Sequence, residues 1–156
     1  MSDALKLWSS LSRVPAGRWL YGRLLCLKAP YFGTIAPHFT VLEPGRCEIA
    51  IRDRRRVHNH IGTVHAIALC NLAELCAGMM TEVTIPAAMR WIPKGMTVEY
   101  LARAKGRMHA TATPEHPVAK STSGYAWPVA VQVHDDAGAE VFRARIDMWL
   151  SPRRRD

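Results

Sequence analysis

The stretch Val64 to Met80, "VHAIALCNLAELCAGMM", limits the fold more than any other part of the chain. Its apolar residues do not form one stripe at helical spacing; they occupy nearly every side of the helix. Only His65, Asn71 and Glu74 interrupt them with polar chemistry. A helix apolar all round cannot lie on a surface and must be surrounded by the rest of the protein. The preceding "HNHIGT" reads as a loop, with Thr63 placed to cap a helix running from about residue 64 to 80. The first free backbone N–H groups are then expected around Val64, His65 and Ala66.

The material to surround that helix is β-structure. In "CEIAIRD", Cys47, Ile49 and Ile51 alternate with Glu48, Ala50 and Arg52, the period of a half-buried strand. Residues 33–43 precede it, with "EPG" at 43–45 as the turn. Beyond the helix, the run 85–92 is expected to pass through a "PKG" turn into "MTVEYLARA". "GRMHATAT" and "YAWPVAVQVH" follow, and "DDAG" at 135–138 turns a hairpin into "AEVFRARIDMWL". That last segment puts Phe142, Ala144, Ile146, Met148 and Leu150 on one face and Arg143, Arg145 and Asp147 on the other. Residues 114–124, with two prolines and a Ser/Thr/Gly cluster, read as a loop. Short connections imply antiparallel pairing. A curved antiparallel sheet wrapped around one apolar helix meets both demands, an α+β architecture.

At 156 residues, without internal repeats, the chain suits one domain spanning 1–156. Residues 3–28 form a helical segment at its start and 151–156 a basic tail. Leu5, Trp8 and Leu11, then Leu20, Leu24 and Leu27, recur at helical spacing, with Pro15 and Gly17 breaking the run into two short helices. Lys6, Arg13, Arg18, Arg23 and Lys28 accompany them. The plainer reading is a helix across the core with a solvated basic side; the alternative is a membrane surface or phosphates.

An apolar content of 49% and 22% charge describe an ordered globular chain. No run of about 18 uninterrupted apolar residues marks a transmembrane helix. Asp3 and the lack of a compact apolar core argue against a signal peptide, so Cys26, Cys47, Cys70 and Cys76 are expected as reduced thiols in the cytoplasm. The net charge of +8 invites a polyanion. Nucleic acid is not expected, because no zinc-finger spacing or aromatic RNA-binding signature accompanies the basic clusters. Those clusters are Arg52, Arg54, Arg55 and Arg56, and Arg153 to Arg155. They read as solvated ends or as contacts to the phosphates of a small ligand.

Chemistry concentrates where the apolar helix is interrupted. Asn71 and Glu74 are three apart and so share a helix face, and Gly78 extends that stripe with room for approach to the backbone. A carboxylate removed from water raises its pKa or finds a partner. Glu74 therefore either reaches solvent or a strand donor, or serves as a general base or nucleophile. His58, His60 and His65 give an H-x-H-x4-H spacing, but no second ligand cluster supports it, and no metal is expected. The helix start itself attracts an anion or a developing oxyanion through backbone N–H groups.

Asn59, Gly62 and His65, then Leu72, Ala73 and Glu74, in "NHIGTVHAIALCNLAE", resemble the signature of hot-dog-fold thioesterases of the phenylacetic-acid-degradation type. The nearest branch of that superfamily is a domain of unknown function. The order of strand pair, central helix and four further strands is similar as well. The resemblance implies a hot-dog fold and hydrolysis of an acyl-coenzyme A thioester, with coenzyme A as part of the substrate and no other cofactor. It implies Glu74 as the catalytic acid, the Ala66 N–H as donor to the thioester carbonyl, and Asn59 and His65 orienting water or substrate. Gly62, Ile67, Asn71 and Gly78 would line the substrate site, and Arg54, Arg55 and Arg56 would meet the phosphates. It further implies a homodimer or dimer of dimers with sites at the interface. Many relatives carry His-Gly-Gly where this chain has His65-Ala66-Ile67; the amide is kept and the space beside it is narrowed. A hot-dog domain that binds an acyl ligand or a partner without catalysis is the competing reading.

Overall fold

The structure, a computed structural model, describes residues 2–119 and 121–153. Two helices open the chain, α1 (Asp3–Leu11) and α2 (Gly17–Lys28), followed by a 3-10 turn at Pro30–Thr34. Strands β1 (His38–Glu43) and β2 (Arg46–Ile51) come next, then the central helix α3 (Ala66–Thr84). Four strands complete the fold: β3 (Met89–Tyr100), β4 (Met108–Pro114), β5 (Tyr125–His134) and β6 (Glu140–Pro152). All six strands form one antiparallel sheet in the order β1-β2-β4-β5-β6-β3.

The sheet curls around α3, which packs against every strand. Leu72, Ala73, Cys76, Ala77 and Met80 are fully buried on the helix, opposite Ile49, Met108, Ala112, Val129, Ile146 and Met148 from the sheet. The alternation expected in β6 is observed: Phe142, Ala144, Ile146, Met148 and Leu150 are buried, while Arg143 and Arg145 are exposed and Asp147 is half-buried; only Val141, at the start of the strand, breaks it by being buried too. By length and composition α3 is apolar enough to cross a membrane, yet 67% of its apolar window is buried inside the protein.

The helix starts and ends later than expected, for local reasons. Val64 N–H donates to Ala104 O (2.9 Å) and His65 N–H to Val57 O (2.8 Å), holding these residues in an extended bridge outside the helix. At the other end Thr81 Oγ1 donates to Ala77 O (2.7 Å), and Thr84 Oγ1 turns back in the same way onto Met80 O. With their hydroxyls satisfied by the helix itself, "TEVT" continues it. Ile85 is extended, as the residue before a proline prefers, and Pro86 prevents further helix.

Two further expectations are corrected. "PKG" is not a turn: β3 runs unbroken through it, with an irregularity in register between Pro93 and Gly95. Since β3 lies at the sheet edge, a proline there disrupts no inner ladder. The N-terminal segment does split into two helices, and Trp8, Tyr21 and Phe39 form an aromatic cluster beneath them, with ring centroids 5.0–6.2 Å apart. However, α2 does not turn Leu20, Leu24 and Leu27 inward, and Leu25 packs on the core instead. The buried residues of α2 are Gly17, Tyr21 and Gly22, while Leu20, Leu24 and Leu27 are exposed. The start of the basic tail is anchored rather than free: Arg153 N–H donates to Ala88 O (2.8 Å) and its Nε to Met89 O (3.0 Å). Residues 154–156 of that tail lie outside the described residues.

Candidate active site

Polar residues of α3 divide between two openings, a larger and a smaller. The larger is an apolar groove of about 1340 Å³ between α1, α2 and β3. Leu5, Leu25, Phe32, Gly78 and Trp91 line it, with Glu74 among them. Along α3, between its end residues Ala66 and Thr84, the residues not buried run Ile67, Cys70, Glu74 and Glu82, one stripe at helical spacing facing out of the sheet. Cys70 pairs with the Tyr100 hydroxyl (3.2 Å), which pushes the phenol up to about 12, the hydrogen bond to Cys70 outweighing burial. Glu82 accepts a hydrogen bond from Trp91 Nε1 (2.9 Å). Glu74 is exposed in the single chain and has no side-chain partner among the described residues.

Gly78 does continue the Glu74 stripe, but the room above it is taken. A Cβ there would lie 2.8 Å from the Trp91 ring, so the missing side chain is what lets the indole lie across the helix. Trp91 thus forms one wall of the groove. The sequence carried no sign of this, because a tryptophan on an edge strand shows no chemical spacing to Gly78 or Glu82.

The smaller opening, about 220 Å³, lies at the start of α3. Arg56, His65, Ile67 and Asn71 line it, joined by Tyr31, Thr34 and His58, which the motif did not nominate as binding residues. His65, not Thr63, caps the helix: its Nδ1 accepts from Ile67 N–H (3.0 Å), and its carbonyl accepts from Ala68 (2.9 Å) and Leu69 (3.2 Å). Ala66 N–H is therefore the amide of the first turn left without a partner among the described residues. Val64 and His65, whose N–H groups were expected to be free as well, both donate within the chain.

Asn59 and Gly62 build the loop that delivers this cap. Asn59 Oδ1 accepts from Ile61 and Thr63 N–H (both 3.1 Å), and its Nδ2 donates to Thr63 Oγ1 (2.8 Å). Gly62 has φ 74°, a left-handed conformation that glycine adopts without strain. Asn71 faces away from Glu74: it is 6% exposed, and its Nδ2 donates to Thr34 Oγ1 (3.2 Å). The single face expected for Asn71 and Glu74 is thus divided between two cavities. Arg54 is half-buried, its Nη2 donating to Thr34 O (3.4 Å), whereas Arg55 and Arg56 are exposed. His58 pairs through Nε2 with Asp53, whose other oxygen accepts from Gly106 N–H (2.8 Å). Among the described residues no three His, Cys, Asp or Glu side chains converge as metal ligands.

Eight residues of helix separate Ala66 from Glu74, about 12 Å along the axis. The Glu74 carboxylate lies at the groove, and His65 and Ile67, on either side of the Ala66 amide, line the small opening.

A six-stranded antiparallel sheet rolled around one apolar helix, with an N-terminal helical segment, is the hot-dog fold of the thioesterase-like proteins. Residues 17–150 match a family described as "Domain of unknown function (DUF4442)", and the chain belongs to that family. A crystal structure of a structural-genomics target, whose name states no activity, is 44% identical, covers 96% of this chain and 98% of that one, and superposes with a TM-score of 0.82. A Pseudomonas aeruginosa protein of unknown function, called a probable thioesterase, is 22% identical over 90% of this chain and 97% of its own, TM-score 0.74. A Haemophilus influenzae thioesterase shares 12% identity over 83% and 87% of the two chains, TM-score 0.71. These last two likenesses show the fold. Among the curated proteins, none matches the sequence.

Proposed function

We propose that the protein hydrolyses acyl thioesters, with an acyl-coenzyme A as substrate, in a site completed by a second copy of the chain. The observation that carries this is Glu74, an unpaired carboxylate at the side of an apolar groove that suits an acyl chain. Glu74 takes a proton from water, and the resulting hydroxide attacks the thioester carbon. The carbon–sulfur bond then breaks, and the leaving thiolate takes the proton back from Glu74, giving a carboxylic acid and free coenzyme A. The carbonyl oxygen accepts from the Ala66 N–H of the other copy, with the helix start favouring the negative charge that develops there. His65 holds that helix end in place, Asn59 and Gly62 set the loop before it, and Ile67 and Asn71 bound the space beside it. Arg56 lines the small pocket and Arg54 reaches Thr34 on its wall, so these two, with Arg55 between them in sequence, would meet the phosphates of the carrier.

The 12 Å separation favours a homodimer or dimer of dimers over a lone chain. The free edge of β3 supplies a surface for the second copy, with Ile92 57%, Met96 38% and Tyr100 51% exposed along it. A second reading, binding of an acyl ligand without turnover, is favoured by Ile67, whose side chain stands 55% exposed beside the Ala66 amide where a glycine would leave it open.

A panel of acyl-coenzyme A esters with a free-thiol readout separates the two. Release of coenzyme A supports hydrolysis, and tight binding without release supports the second reading. Glu74→Gln is expected to lower turnover by about 10²–10⁴-fold while leaving the melting temperature unchanged. Cleavage at the wild-type rate in that variant removes Glu74 from the mechanism.

A further inference from the structure

The outward side of α2 is the least expected surface of the molecule. Trp19 is 58% exposed, Leu20 39%, Leu24 38% and Leu27 80%. With α2 extending over Gly17–Lys28, Trp19, Leu20 and Leu27 share one side of the helix, and Leu24 extends it towards the buried Tyr21 at the groove. Tyr31, 65% exposed, follows the helix in the next turn. The helix is apolar on two sides, one packed on Phe39 through Tyr21 and one left uncovered.

The charge along this segment of the sequence has one sign. Between Asp3 and Glu43 there is no acidic residue, while Lys6, Arg13, Arg18, Arg23 and Lys28 are all basic. Arg23 lies within the apolar face, its guanidinium 5.8 Å from the Trp19 ring. Leu7, Leu24 and Lys28 belong both to this exposed region and to the rim of the groove beside Glu74.

From these observations we infer that α2 docks the protein on an anionic phospholipid surface. Leucines with an interfacial tryptophan and tyrosine, flanked by arginine and lysine, match the acyl boundary and the phosphate layer of such a bilayer. A second copy of the chain fits the face poorly: a two-fold contact there would set Arg23 and Lys28 against their own kind, while Arg18 turns inward over the Trp8 ring. An acidic soluble protein would satisfy the charges, but it gives no reason for Leu27 to stand uncovered at the end of the helix. Docked this way, the groove opens beside the layer from which an acyl chain would come.

The test is co-sedimentation of the whole protein with vesicles, which reads binding and not turnover, so its failure leaves the thioesterase reading intact. Binding to phosphatidylcholine vesicles containing phosphatidylserine is expected to be about thirtyfold tighter than to phosphatidylcholine alone, from the two cations Arg23 and Lys28 near the surface. Trp19→Ser with Leu27→Ser, neither residue lining the groove, is expected to abolish it while circular dichroism stays unchanged. Absence of binding to both vesicles overturns the proposal. So does retention in the double variant together with release by polyglutamate, which would mean charge alone. A change of molar mass in the double variant by light scattering overturns it too, assigning the face to another copy.

Discussion

Gly78 and Trp91 decide the shape of the groove between them. The indole lies where a side chain at 78 would stand, and its Nε1–H donates to Glu82, so it is fixed at both its face and its edge. Gly78→Ala is expected to cost about 1–3 kcal/mol through overpacking and to change the tryptophan emission as the ring is displaced. Urea denaturation followed by fluorescence measures both, and an unchanged midpoint and spectrum would mean that the ring moves freely. Elsewhere on α3, the Cys76 thiol donates to Cys47 O (3.2 Å), and burial first, with Cys76 second, pushes the Cys47 thiol well up. These two sulfurs are core atoms rather than reagents, whereas Cys70 lies on the open stripe.

Two leucine-rich helices in this chain have opposite fates. Leu72 of α3 is 0% exposed and Leu27 of α2 is 80% exposed. Leu72→Ala is expected to destabilise by about 2–5 kcal/mol, and Leu27→Ser to change stability by less than about 0.5 kcal/mol; thermal melts of the two variants check this. A large loss at Leu27 would mean that something already covers α2. The same pair marks how far the sequence could be read. In β6 and α3 pattern and burial coincide, because alternation or all-round apolarity leaves one arrangement that hides the apolar groups. In α2 the spacing of Leu20, Leu24 and Leu27 says that a face is apolar, not that it is the inner one. Tyr21 and its two glycines give closer contact and occupy that place. "PKG" was misread because an edge strand admits residues that elsewhere signal a turn. Of the candidate site, Glu74 was legible as the lone acid within an apolar helix and Ala66 as one of the residues at the start of that helix. Thr34, Tyr31 and Trp91 were not, since nothing in local spacing brings distant elements to one cavity.

At the scale of the molecule, the division of the site makes a prediction that no single substitution can. If acid and amide meet between copies, a Glu74→Gln chain and an Ile67→Trp chain, each inactive alone, regain up to one working site per dimer when refolded together. If each chain acts by itself, the mixture stays inactive, and the free-thiol assay distinguishes the two outcomes. The sheet that holds these parts closes late in the sequence: β3 joins β6 from Met89↔Pro152 to Tyr100↔Phe142, contacts of the long-range kind that slow folding. Residues 66–84 therefore leave the ribosome well before their last covering strand exists. The segment that dictates the architecture is, until synthesis reaches Pro152, also the one with most to lose from meeting another unfinished chain.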